Sequence, residues 1–196
     1  MNGMMVILSG PSGAGKGRIG EELLKRMNMR KVLSVTTRQK RPEDKIKNNY
    51  TFLAEEAFLE LKEHGKFFET NYYDGNWYGT LRIPEEELYI RDLLFDKDVN
   101  GALAIKAVYP FALTFYIMPK DKETLLERRG NRGEGRKAIA LSEVPKAKEL
   151  DFLIVNDDLE QAVGEIMDII ECMRKCSMRN PKAQEFMDEF YLEGRE

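Results

Sequence analysis

The stretch Met4-Met5-Val6-Ile7-Leu8-Ser9-Gly10-Pro11-Ser12-Gly13-Ala14-Gly15-Lys16-Gly17-Arg18 decides the fold. Its first five residues form a short unbroken apolar run, the pattern of a strand buried on both faces of a parallel sheet. After a glycine-rich turn, Ile19, Leu23, Leu24 and Met27 recur at helical spacing with Glu and Lys between them. Strand, turn and helix open a βα unit. Within the turn, Gly10 to Lys16 matches G-x-x-x-x-G-K, where glycines let the backbone bend tightly and aim successive N–H groups at phosphate oxygens. The positive end of the following helix adds to that attraction, and Lys16 is spaced to reach the β- and γ-phosphates of a nucleoside triphosphate. The residues expected to cradle those phosphates are Gly10, Pro11, Ser12, Gly13, Ala14, Gly15, Lys16, Gly17 and Arg18.

Outward from this stretch, apolar strands are expected at Leu93-Leu94-Phe95, Ala112 to Met118 and Phe152-Leu153-Ile154-Val155. Helical patterns at Glu55 to His64, Lys122 to Arg129 and Leu159 to Met173 interleave with them, which argues for an α/β fold on a parallel sheet. Between Val35 and Thr80 the texture turns polar and aromatic, with Tyr50, Phe52, Phe67, Phe68, Tyr72, Tyr73, Trp77 and Tyr78 and the turn signal Asp74-Gly75-Asn76. That reads as a small β-rich insertion, most of whose aromatics form its own core. A basic, glycine-spotted segment from Arg128 to Lys148 reads as mobile, and an acidic stretch from Asn180 to Glu196 reads as a short amphipathic helix.

The chain has 196 residues, 42% hydrophobic and 33% charged, which fits one globular domain and argues against a disordered chain. Its formal net charge of −3 gives no support to bulk nucleic-acid binding. No apolar run approaches the ~20 residues of a membrane span, and no signal peptide precedes the first strand, so a cytoplasmic protein is expected. Cys172 and Cys176 with the single histidine, His64, argue against both a disulfide framework and a Cys/His zinc site.

Three further groups carry chemistry. Ser34, Thr36 and Thr37 precede Arg38 and Arg41, with Tyr50 beyond; guanidinium forks and hydroxyls suit a phosphate monoester, although a solvated basic turn fits the spacing equally. Glu69 and the run Gly75-Asn76-Trp77-Tyr78-Gly79-Thr80 place a carboxylate and a hydroxyl near one another, a pair able to read an N–H edge and a carbonyl such as those of guanine. Asp96-Lys97-Asp98 closes the run Leu93-Leu94-Phe95, and in an open parallel sheet the ligand crevice lies at such carboxyl ends.

In this order the pieces resemble the guanylate kinase family. The resemblance runs from about Met5 to Met173 and rests on the phosphate loop, the S-x-x-x-T-R-x-x-R grip, G-N-x-Y-G-[ST] over residues 75–80, and a D-x-D-x-Q-G counterpart at Asp96 to Gly101. It adds an R-x-x-x-R-G counterpart at Arg128, Arg132 and Gly133, and I-V-N-D-D-L over Ile154 to Leu159. It implies a single domain in three parts: a core (1–34, 81–125 and 150–176), a GMP-binding insertion (35–80) and a mobile lid (126–149), followed by a helical tail (177–196). It further implies ATP as co-substrate, Mg²⁺, and GMP as acceptor. Ser34, Arg38, Arg41, Tyr50 and Tyr78 would take the GMP phosphate and Glu69, Thr80 and Asp98 its base. Asn156 would serve the ATP side, and Lys16, Arg128 and Arg132 would act in catalysis. No direct metal ligand is implied, and Asp96 could act through water. The expected partners are these nucleotides alone, with no nucleic acid or membrane, in a monomer or homodimer.

The sequence departs from the family in three places. The Ser or Thr that follows the loop lysine is Gly17, with Arg18 next; that hydroxyl would ligate magnesium. Lys97 replaces an apolar residue, and because a lone buried ammonium is costly it is expected to be exposed or paired with Asp96 or Asp98. A further lid arginine is missing where Ser142 or Glu143 falls, with Pro145 close behind, although Arg129, Arg136 or Lys146 could substitute. A transition-state arginine can contribute ~10³–10⁵ in rate. The departures therefore leave open a catalytically impaired module that binds a nucleotide or phosphopeptide, and, further off, a kinase with another small acceptor.

Overall fold

The computed structural model describes residues 3–41, 44, 50–121, 123–125 and 145–176. A five-stranded sheet forms the centre, built from β1 (Met5–Ser9), β2 (Met29–Lys31), β7 (Asp92–Asp96), β8 (Leu113–Met118) and β9 (Phe152–Val155) in the order β2-β7-β1-β8-β9. Every pairing in it is parallel, with Leu8 opposite Asp96 and Phe115. Helices α1 (Lys16–Arg26), α3 (Val99–Val108) and α4 (Leu159–Arg174) cover it.

The unbroken apolar runs follow from burial on both faces. Val6, Leu8, Leu94 and Phe115 turn towards Ile19 and Leu23 of α1 and Val163, Ile166 and Ile170 of α4. Their alternating neighbours Met5, Ile7, Leu93 and Phe95 pack with Val99, Ala102 and Ile105 of α3 on the opposite face. With a side-chain period of two, a strand between two helical layers has no polar side to show.

A second, four-stranded sheet spans Ser34 to Leu81, built from β3 (Ser34–Thr36), β4 (Tyr50–Phe52), β5 (Phe67–Tyr73) and β6 (Asn76–Leu81) in the order β4-β3-β6-β5. β3 runs parallel to β4 and antiparallel to β6, and β5 and β6 form a hairpin. Its turn is Asp74-Gly75, both at positive φ (52° and 73°), which two-residue hairpin turns favour because their twist matches that of the strands. Helix α2 (Glu55–Glu63) drops Phe58 into a stack with Phe67 and Trp77, at ring-centroid distances of 4.5 and 5.8 Å. The expected insertion core is thus present in part. Phe68 points the other way, into the main core against Phe95 and Tyr109, and Tyr72 is exposed.

The described strands and helices at residues 5–9, 16–26, 55–63, 92–96, 113–118, 152–155 and 159–174 fall where the hydrophobic pattern put them. The expected Lys122–Arg129 helix, the lid arginines and the acidic tail lie outside the described residues or nearly so.

Candidate active site

The phosphate loop joins β1 to α1 across the carboxyl end of the sheet. Gly10 has φ 133°, and a Cβ there would lie 2.1 Å from the Ile117 carbonyl oxygen, so the loop can pass β8 only as glycine. Gly15, at φ 97°, is the N-cap of α1; a Cβ on it would strike the Asn156 amide at 2.1 Å. The helix start has no side-chain cap and no acidic residue in its first turn, which leaves its positive end to an incoming anion. Lys16 Nζ donates to the carbonyls of Gly10 (2.6 Å) and Pro11 (3.2 Å), so its ammonium lies over the loop. Asn156, buried beyond the end of β9, donates through Nδ2 to the Ala14 carbonyl at 2.8 Å and so props the loop from beneath. Gly17 is exposed and a Cβ there would meet nothing within 4 Å, so the missing hydroxyl is not excluded by crowding.

The second pocket is built on the small sheet. Glu69 and Thr80 are cross-strand partners on β5 and β6, and Thr80 Oγ1 donates to Glu69 Oε1 at 2.5 Å. A bulge between Phe67 and Glu69 sets this register, turning Phe67 into one core and Phe68 into the other while leaving Glu69 beside Thr80. Ser34 pairs with Tyr50 in register, and the Tyr50 and Tyr78 rings meet edge-on at 6.2 Å. Arg38 lies 5.3 Å over the Tyr50 ring. Burial pushes the Tyr50 phenol up from its ordinary value. The Thr36 and Thr37 hydroxyls, grouped with the arginines on spacing, are engaged elsewhere: Thr36 Oγ1 donates to the Trp77 carbonyl and Thr37 Oγ1 accepts from the Trp77 N–H.

Asp44, which the sequence reading passed over, binds Arg38 through both oxygens at 2.8 and 3.0 Å and accepts the Arg41 N–H at 2.7 Å. The pair is largely enclosed, with about a tenth of either side chain exposed. The Arg38 guanidinium, with the Arg41 N–H, holds the Asp44 carboxyl down at about 2. Only its position three residues past Arg41, in a turn rich in basic residues, hinted at this role.

Lys97 corrects an expectation. It is neither exposed nor paired with Asp96 or Asp98; it is buried, and its Nζ donates to Ser34 Oγ at 2.6 Å and lies 3.5 Å from Glu69 Oε1. The reason is strand alternation. Its backbone N–H still bonds the Leu8 carbonyl, continuing the β7–β1 ladder, so Asp96 and Asp98 face solvent and the residue between them faces the small sheet. Burial pushes the ammonium below its ordinary value, against the pull of Glu69, Asp96 and Asp98.

Asp98 caps α3, its Oδ1 accepting the Gly101 N–H at 2.7 Å. Asp96, opposite Leu8 at the foot of the phosphate loop, is exposed. A single carboxylate there fits a hydrated magnesium held mainly by nucleotide phosphates, because this ion keeps several waters in most sites. Among the described residues no cluster of three His, Cys, Asp or Glu offers a closed metal site. Lys146 reaches the start of α3, donating to Asn100 Oδ1 at 2.8 Å. Arg128, Arg132, Arg129 and Arg136 lie outside the described residues.

The guanylate kinase family model matches residues 2–173. The chain is 36% identical to the guanylate kinase of Thermotoga maritima, covering 98% of this chain and 97% of that one. It is 34% identical to the guanylate kinase of Nitrosomonas europaea over 89% and 92% of the two chains. The crystal structure of guanylate kinase from Anaplasma phagocytophilum superposes with a TM-score of 0.77 at 28% identity, over 96% and 95% of the two chains. No helix among the described residues is long and apolar enough to cross a membrane.

Proposed function

Because the chain belongs to the guanylate kinase family, we propose that it transfers the γ-phosphoryl group of ATP to GMP, giving ADP and GDP, in cytoplasmic purine nucleotide metabolism. Gly10 to Arg18 hold the ATP phosphates and Asn156 supports that loop. Ser34, Arg38, Arg41, Tyr50 and Tyr78 grip the GMP phosphate, while Glu69, Thr80 and Asp98 read guanine. The observation that carries the acceptor assignment is the Glu69–Thr80 pair, an acceptor bonded to a hydroxyl beside Ser34, tied by Lys97 to the carboxyl end of β7 and so to the edge of the phosphate loop.

Phosphoryl transfer asks the protein for in-line positioning and for positive charge around the transferring group. An oxygen of the GMP phosphate attacks γ-phosphorus and the β–γ bridging oxygen leaves with ADP. That phosphate is already ionised near neutrality, so no general base is needed. Lys16 holds the β- and γ-phosphates, and Arg128 and Arg132 are the further cations assigned to the transferring group. Asp96 would hold a hydrated Mg²⁺, which when bound neutralises phosphate charge.

The test is ADP release with ATP and Mg²⁺ in the presence of GMP, AMP, CMP or UMP, alongside calorimetric titration with GMP. GMP-dependent turnover above the other three is the expected result. Glu69→Ala should raise the KM for GMP about tenfold or more, as loss of a charged hydrogen-bond acceptor does, and leave the KM for ATP alone. Tight GMP binding without turnover would mean an impaired binding module, and neither binding nor turnover would sink the acceptor assignment.

A further inference from the structure

A buried ammonium stands between the two ends of the acceptor pocket. Lys97 enters from the core at the β7–α3 corner, with less than a tenth of its side chain exposed, and both of its polar partners belong to the small sheet. One is Ser34 on β3, assigned above to the phosphate, and the other is Glu69 on β5, assigned to the base.

Hydrogen-bond inventory then fixes what each partner can offer a ligand. A lysine ammonium only donates. Ser34 Oγ therefore accepts from Lys97, and its own hydroxyl hydrogen is left to donate elsewhere. Glu69 Oε1 faces two donors, the Thr80 hydroxyl and Lys97 Nζ, so Oε2 is the oxygen left to receive an N–H. One cation thus turns a hydroxyl into a donor at one end and holds a carboxylate as an acceptor at the other. A phosphomonoester needs donors, and the N–H edge of a 6-oxopurine needs an acceptor. The charge count agrees. Glu69, Asp96 and Asp98 would otherwise put three carboxylates near a pocket that has to admit a phosphate, and Lys97 offsets one of them.

We propose that Lys97 is a positioning residue of the acceptor site, setting the hydrogen-bonding polarity of Ser34 and Glu69 so that the pocket is ordered in advance for a purine nucleoside monophosphate with a carbonyl at position 6. The proposal rests on the acceptor assignment given above. It predicts a loss confined to acceptor binding, because the Lys97 side chain bonds only Ser34 and Glu69, while its backbone N–H bonds the Leu8 carbonyl of β1, as any residue's backbone could. The stem is accommodated by Gly101, where a Cβ would come within 3.4 Å of Lys97 Cβ.

The experiment is steady-state kinetics on the full chain and on Lys97→Met, with Lys97→Gln as a second variant that keeps a donor without the charge. In Lys97→Met the KM for GMP should rise about tenfold or more, as when a charged hydrogen bond is lost. The KM for ATP should stay within about twofold and kcat at saturating GMP should be retained, the pattern of lost uniform binding. Lys97→Gln should fall between. Ser34→Ala, costly to GMP binding in the natural background, should cost much less once Lys97 is Met, since the two act as a unit. A KM for GMP unchanged in both variants overturns the proposal, as does a rise in both KM values that tracks a fall in thermal stability. A natural chain without GMP-dependent ADP release would instead take down the acceptor assignment, and this proposal with it.

Discussion

Arg38 shows how one side chain can be prepared for a ligand by another. A guanidinium that is to hold phosphate, the role proposed for Arg38, must stay in position before phosphate arrives, and Asp44 fixes it by filling both prongs of its fork. Incoming phosphate therefore competes with Asp44 or shares the guanidinium with it, and exposed Arg41 is the second cation beside them. The same contact makes a pH prediction. The Asp44 carboxyl falls from an ordinary 3.8 to about 2, chiefly through the Arg38 hydrogen bonds. A depressed carboxyl stabilises the fold where it is ionised, so its contribution is present above about pH 4 and is lost as pH falls through about 2. Asp44→Asn should therefore unfold earlier than the natural chain at pH 7, with the difference in midpoint shrinking towards nothing near pH 2. A difference independent of pH would mean that shape, and not charge, holds Arg38.

At the scale of elements, α3 and α4 each start on aspartate. Asp98 caps α3 and Asp158 caps α4, each accepting a backbone N–H three residues on, at 2.7 and 2.9 Å. Removing an N-cap costs about 0.5–2 kcal/mol. Asp158→Ala and Asp98→Ala should lose comparable stability in denaturant titration, but only Asp98→Ala should also raise the KM for GMP. Equal KM values in the two variants would leave Asp98 a cap alone. The elements also show what a sequence can reveal. β1 and β7 were legible because burial on both faces leaves no polar residue inside the apolar run, β8 because a single Thr114 interrupts an otherwise apolar and aromatic stretch, and α1 and α4 because one face of each is wet. α3 escaped notice: Val99–Val108 is buried along much of its length and has little amphipathic contrast. β2, β3 and β4 have three residues each, too few to carry a period. Glu69 and Thr80 were legible as chemistry, but the bulge that makes them neighbours was not, and neither was the direction of Lys97, which depends on the β7–β1 ladder continuing two residues beyond the last apolar position, Phe95.

Across the whole molecule, the parallel sheet separates function from anchorage. The phosphate loop, Asp96 and the small sheet gather at the carboxyl ends of the strands, while the amino ends carry a different device. Asp92, at the start of β7 and 2% exposed, accepts the Met4 N–H through Oδ1 at 2.8 Å and pairs through Oδ2 with Arg174 in the last turn of α4. One carboxylate thus ties the residue leading into β1, the neighbouring strand β7 and helix α4 together. Asp92→Ala would remove the acceptor of the buried Met4 N–H and take one carboxylate from Arg174, which keeps Glu171 and is itself partly solvated. The expected cost is roughly 2–4 kcal/mol, below that of a fully buried ion pair because water can reach Arg174. For a chain of this size each kcal/mol lowers the melting midpoint by about 2–4 °C, so a fall of roughly 4–16 °C should appear in a thermal melt. Because β7 and β1 are paired along their length, the loss should leave the carboxyl ends in register at temperatures well below the transition. The KM values for ATP and GMP, measured there, should match those of the natural chain. A rise in either KM at low temperature would show that the amino-end anchor reaches through the sheet to the nucleotide pockets, and that the two ends are not independent.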